Sequence, residues 1–182
     1  MPIEFAFLDY LQTLHTPLLD ELMLFITTMA GRGELALIVG VALLCFKRSR
    51  KVGLAIIVAM LIGYLLGSVI LKPSIARVRP CNVNLAVDML VERPQSFSFP
   101  SGHTTLAFSA IMSLYFAQCR KFFWAAACVG VVVAFSRMYL YVHFPTDILA
   151  GLAVGTLSAY IAWEIVRRFA GGETEDEQAR GL

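Results

Sequence analysis

The run from Val52 to Leu71, VGLAIIVAMLIGYLLGSVIL, carries no charged side chain and is long enough to cross a hydrocarbon core as a helix. A chain that commits one such segment to lipid must satisfy its backbone internally, and its neighbours must do the same. Composition supports the bilayer as solvent, with 58% hydrophobic and 15% charged residues against about 45–50% and about 25% in soluble domains. The expected class is all-α, a polytopic membrane helix bundle forming one domain over 1–170.

Other segments follow from hydropathy and its breaks. Residues 1–15 set Glu4, Asp9 and Gln12 among Phe5, Phe7, Leu8 and Leu11, the pattern of an amphipathic helix on the membrane surface. Thr16 and Pro17 suit a helix start, with Asp20 and Glu21 in its first turn, and a weakly hydrophobic span runs to Ala30. Gly31-Arg32-Gly33 interrupts it, and Leu35 to Phe46 gives a second short span. Beyond KRSRK and the Val52–Leu71 run comes a polar excursion from Lys72 to Ser101, with a short helix expected over Leu85 to Val91. Thr104 to Ala117, Phe122 to Tyr141, and a segment from Pro145 to about Trp163 complete about six expected transmembrane helices. GGETEDEQARGL at 171–182 reads as a disordered cytoplasmic tail.

Charge orients this count. With both termini cytoplasmic, KRSRK, Arg120-Lys121 and Arg167-Arg168 all fall inside, and the Lys72–Ser101 and Ser136–Asp147 stretches face outward together. A net charge of +2 gives no reason to expect nucleic acid as a partner. The acidic N-terminus is unlike a cleaved leader, and the four cysteines lack metal-ligand spacing, so neither disulfide nor zinc is expected.

Three polar clusters then share the outer face: KPSIARVRP from Lys72, PSGH from Pro100, and SRMYLYVHFPTD from Ser136. Ionisable side chains at membrane depth are costly and mark function by default. Lys72, Arg79 and Arg137 repel one another unless an anion sits between them, and Arg forks match phosphate oxygens. Ser101 and Gly102 open a helix whose free N–H groups suit an anion. His143 has Asp147 four residues on, so the carboxylate can fix one ring nitrogen and raise the basicity of the other; this makes His143 the expected nucleophile. His103 remains to protonate the departing oxygen, which predicts a bell-shaped pH dependence. The cations supply the charge neutralisation that a metal supplies elsewhere, so no metal and no cofactor are expected.

These clusters resemble the signature of the type 2 phosphatidic acid phosphatase superfamily, the lipid phosphate phosphatases, which reads KxxxxxxRP, PSGH and SRxxxxxHxxxD. Lys72, Arg79 and Pro80 match the first, Pro100 to His103 the second, and Ser136, Arg137, His143 and Asp147 the third. Eleven specified positions at about one in twenty each make a chance match remote. The resemblance implies a phosphohistidine at His143, His103 as acid, and phosphate held by the other motif residues. It implies an integral membrane lipid phosphate phosphatase acting on a lipid phosphate or diphosphate. In a bacterial plasma membrane undecaprenyl diphosphate is the favoured substrate, with phosphatidylglycerophosphate or phosphatidate as alternatives. The same pattern occurs in soluble vanadium haloperoxidases, a branch the hydropathy disfavours. Two other readings remain at this point, a lipid phosphotransferase and a phospholipid-binding or transport protein without turnover.

Several residues are assigned to structure. His15 reads as a surface or cap residue, Glu164 as a partner of Arg167 or Arg168, and Tyr139, Tyr141, Phe97 and Phe99 as an interfacial aromatic belt. Arg77, Asp88, Glu92 and Arg93 read as members of a solvated loop.

Overall fold

Apolar runs become helices throughout, and no strand forms among the described residues. The computed structural model describes residues 2–30 and 33–179, apart from the side chains at 30 and 170–179; of the tail expected at 171–182, the backbone of 171–179 continues a helix and 180–182 lie outside what is described. The helices are α1 (Pro2–Gln12), α2 (Pro17–Ala30), α3 (Glu34–Leu44), α4 (Arg50–Tyr64), α5 (Lys72–Ile75), α6 (Pro80–Val83), α7 (Gly102–Phe116), α8 (Arg120–Tyr139) and α9 (Pro145–Ala179). A π-helical segment, Leu65–Leu71, joins α4 to α5. The expected short helix over 85–91 is absent; the polar excursion instead holds α5 and α6, the latter with Pro80 in its first turn.

Three stretches are long and apolar enough to cross a membrane, Arg50–Val83, Arg120–Tyr139 and Pro145–Phe169. The first two of the six expected crossings are instead two arms of one bent pair, meeting at 41° and counting as a single span at most. Gly33 stands at that junction with φ 98°, a conformation that glycine adopts without strain. The expected fourth crossing, α7, has only 15 residues, and it packs against α9, α4 and α8.

Glycines set how closely these helices approach. A Cβ on Gly155 would lie 2.6 Å from the Thr105 carbonyl oxygen, and one on Gly151 2.8 Å from that of Ser101. α9 therefore rests directly on the α7 backbone over its first turns. Gly63 makes a similar contact, where a Cβ would lie 2.5 Å from Ser109 Oγ.

One core cluster joins α1 to the loop at 140–144: Leu8 and Leu11 are buried with Tyr139, Tyr141, Val142 and Phe144. Tyr139 and Tyr141 are 0% and 1% exposed, not members of a surface belt. Their hydroxyls donate to Asp20 Oδ1 and Asp9 Oδ1, each at 2.6 Å. Nor is His15 a simple surface residue: its ring stacks on Tyr139 with centroids 4.2 Å apart, and its Nδ1 lies 3.2 Å from Asp20. Glu164 does pair with Arg167, at 2.7 Å. These contacts set α1 at the end of the bundle that carries the polar clusters, not at the opposite end, where the charge pattern put both termini. By length and composition the bent α2–α3 pair counts as one candidate span at most, one fewer before Lys72 than hydropathy suggests.

Candidate active site

Four backbone turns deliver the polar clusters to one end of the bundle. The π-helical segment ends at Lys72, the kind of local departure that often marks a functional site. Ala76, at φ 49°, turns the chain out of α5 toward Arg77 and Arg79. α7 starts at Gly102, with Ser101 as its cap. Tyr141, at φ 57°, redirects the chain leaving α8 so that 142–144 fold back toward the first turn of α9.

His143 is 1% exposed and stands between an acid and a base. Its Nδ1 faces Asp147 Oδ2 at 3.4 Å, close but short of hydrogen-bond geometry. Its Nε2 is 3.1 Å from Arg79 Nη1. A guanidinium has no lone pair to offer, so it donates and Nε2 accepts. The ring proton therefore belongs on Nδ1, toward Asp147, and the lone pair on Nε2. Burial pushes the His143 pKa down; the Asp147 contact pulls it up, Arg79 and Arg137 push it further down, and the balance lies well below the ordinary range. The imidazole is neutral at physiological pH, as a nucleophile requires.

Asp147 is itself held on three sides. Phe144 N donates to Oδ2 at 2.8 Å, Arg77 Nη1 donates to Oδ1 at 2.7 Å, and its own carbonyl accepts from Ser101 N at 3.0 Å. That last bond ties the second cluster to the third. Arg79 is fixed as firmly, through Nε to Ser96 O at 2.7 Å, Nη2 to Ser96 Oγ at 3.0 Å and Nη1 to Val142 O at 2.9 Å.

Arg137 and Lys72 lie within electrostatic reach of this core, Ser101 is tied to Asp147 through the backbone, and His103 is placed by the cavity it lines. Arg137, on the last turn of α8, is 8% exposed; its Nη1 donates to Thr27 Oγ1 while its buried Nε has no partner. It lies within electrostatic reach of Arg79 and His143. Lys72 reaches Arg79 and Asp147 in the same sense, and its Nζ donates to Phe97 O at 3.1 Å. Ser101 is fully buried, and its Oγ caps α7 by accepting from Thr104 N at 3.5 Å and Thr104 Oγ1 at 3.0 Å. A Cβ on Gly102 would meet only Ser68 Oγ, at 3.8 Å, so no protein atom demands glycine there. His103 lines an apolar cavity of about 290 Å³ between α3, α7 and α8, with Leu35, Val39, Ala107, Gly130 and Val133. Among the described residues no group of three or more His, Cys, Asp or Glu side chains could hold a metal.

Arg77 is the residue that sequence reasoning misplaced. Its side chain is 13% exposed, not solvated, and it joins Asp147, Thr146 and Glu4. The signal available was its position two residues before Arg79 in a cluster already singled out.

Known proteins resemble this chain in sequence and fold. A family model described as the PAP2 superfamily matches residues 52–170. An undecaprenyl-diphosphatase of Sulfolobus acidocaldarius is 32% identical over 148 residues, 81% of this chain and 70% of the relative. One from Bacillus subtilis is 30% identical over 151 residues, 81% of this chain and 75% of that protein. Among solved structures, a transmembrane PAP2-type phosphatidylglycerolphosphate phosphatase from Bacillus subtilis superposes with a TM-score of 0.76 at 29% identity, covering 92% of this chain and 86% of that one.

Proposed function

This chain belongs to the PAP2 superfamily, and on that premise we propose that it hydrolyses the terminal phosphate of a lipid phosphate or diphosphate through a phosphohistidine at His143, with undecaprenyl diphosphate as the favoured substrate. The observation that carries the reading is the Asp147–His143–Arg79 alignment, with a neutral ring whose Nε2 lone pair faces a guanidinium. An incoming phosphate takes up the fork of Arg79 and the unpartnered Nε–H of Arg137, which releases Nε2 to attack phosphorus. The P–N bond forms as the P–O bond to the lipid breaks, and His103 gives its proton to the departing oxygen. Water then attacks the phosphohistidine, His103 takes the water's proton, and inorganic phosphate leaves with Nε2 restored.

A lipid tail fits the surroundings. The cavity that His103 lines is apolar along the rest of its wall, and at about 290 Å³ it lies at the lower end of ligand-pocket sizes, enough for the first part of a chain beside the phosphate. The protein is an integral membrane protein whose KRSRK, Arg120-Lys121 and Arg167-Arg168 clusters favour the cytoplasmic face, so the site faces outward. With α1 at the site's end, α1 shares that outer side and the far end of α9 lies opposite.

Phosphate release by detergent-purified protein across undecaprenyl diphosphate, phosphatidylglycerophosphate and phosphatidate tests the proposal. Turnover of at least one, lost in His143→Ala, is the expected result; no release from any of them would overturn it.

A further inference from the structure

A carboxylate that orients a nucleophilic imidazole works only when it points at the ring, and Asp147 has a restraint that comes from the far end of the chain. Arg77 spans two carboxylates: Nη1 donates to Asp147 Oδ1 at 2.7 Å and Nη2 to Glu4 Oε2 at 2.8 Å. Nη1 also donates to Thr146 Oγ1 at 2.6 Å, and that hydroxyl donates to Glu4 Oε1 at 2.6 Å. Thr146 N reaches the same oxygen at 3.4 Å. The guanidinium lies over Phe144, its Cζ 4.0 Å from the ring centroid, and Phe5 meets the same ring edge-on at 5.2 Å. Both oxygens of Glu4 are thus engaged at the first turn of α9, one residue from Asp147.

We propose that Glu4 of α1 and Arg77 are positioning residues for catalysis, a brace that fixes the Asp147 carboxylate against His143. This rests on the phosphatase reading above and extends it to a helix outside the segment 52–170 that the family model matches. The chemistry favours it over a surface ion pair. Glu4 and Arg77 are 16% and 13% exposed, and Asp147 is fully buried, so the pairing is largely shielded from water. Burial pushes the Glu4 carboxyl up, yet the Thr146 hydroxyl and Arg77 outweigh it and hold it below its ordinary range. A carboxylate accepting from Arg77 on one oxygen and from Phe144 N on the other has no freedom to rotate, so Oδ2 stays on Nδ1.

The test is a kinetic double-mutant cycle on the full chain in detergent, using Glu4→Gln, Arg77→Met and the double variant, with Arg77→Lys alongside. A group that only positions Asp147 lowers kcat and leaves KM alone. Small displacements of a reacting group can cost about a hundredfold, so we expect kcat to fall roughly tenfold in Glu4→Gln and about a hundredfold in Arg77→Met, with KM within about twofold. The double variant should be no slower than Arg77→Met, because Glu4 acts through Arg77. Arg77→Lys should recover part of the loss. Glu4→Gln is close in shape and should unfold at nearly the parent temperature, so its readout survives if Arg77→Met does not fold. An active parent with Glu4→Gln unchanged in kcat, or with additive effects in the cycle, would overturn the brace alone. A parent that releases phosphate from none of the three lipids would overturn the phosphatase reading, and the brace with it.

Discussion

Arg79 Nη1 sits 3.1 Å from His143 Nε2, so the atom proposed to attack phosphorus is hydrogen bonded to the cation proposed to bind phosphate. The two functions share one contact. Under the proposed mechanism Nε2 gives up this contact before it attacks, while the bonds from Arg79 to Ser96 and Val142 keep the guanidinium in place. Arg137, buried beside them with Nε unpartnered, supplies a second donor in that position.

Substituting the nucleophile gives the first expectation. His143→Ala should lower kcat by a thousandfold or more, about 4 kcal/mol of transition-state stabilisation. Acid-labile, alkali-stable phosphate should be trapped on the parent protein by a rapid alkaline quench with labelled substrate and be missing from the variant. Labelled phosphate that persists in His143→Ala would place the bond elsewhere.

His103 differs in what it gives. A general acid matters most when the leaving group is poor, so in the first, phosphohistidine-forming step His103→Ala should slow a lipid phosphate about a hundredfold or more while barely slowing the p-nitrophenolate burst from p-nitrophenyl phosphate, whose leaving group needs no proton. Equal losses on both substrates would remove the acid role.

The pH profile carries a sign. Burial, Arg79 and Arg137 hold His143 neutral well below the ordinary histidine value of about 6.5, so the acidic limb of kcat/KM should fall below that pH. Stability runs in the same direction: the unfolded chain takes up a proton near pH 6.5 that the folded ring refuses, so folding weakens as pH drops below that value. Activity measured again after return to neutral pH separates the limb from unfolding.

Two glycines should behave oppositely. Gly155→Ala drives a methyl group to 2.6 Å from Thr105 O, and overpacking of this kind costs about 1–3 kcal/mol, read as a lower unfolding temperature in detergent. Gly102→Ala meets nothing nearer than 3.8 Å and should unfold like the parent, but its methyl group intrudes where phosphate approaches the α7 N-terminus, so KM should rise.

The parts legible in the sequence were those fixed by neighbours along the chain. Pro145 opens α9 as its fixed φ requires, and Asp147, in the first turn of α9, reaches back to Phe144 N and to His143 in the bend just before it. What escaped was set by distant partners. Arg77 reads as a loop residue until Glu4, 73 positions away, folds against it. Tyr139 and Tyr141 read as a belt because Asp20 and Asp9 lie 119 and 132 positions away. Hydropathy registers two short apolar runs before KRSRK and has no means of seeing that a turn at Gly33 makes them one arm.

The bond from Ser101 N to Asp147 O is made by main chain on both sides. Drift among side chains therefore cannot sever it: any residue with an amide proton keeps the clasp, whatever else it alters. Ser101→Pro is the single exchange at that position that deletes the donor, and it would let the two halves of the catalytic machinery drift apart while every ionisable group remained present.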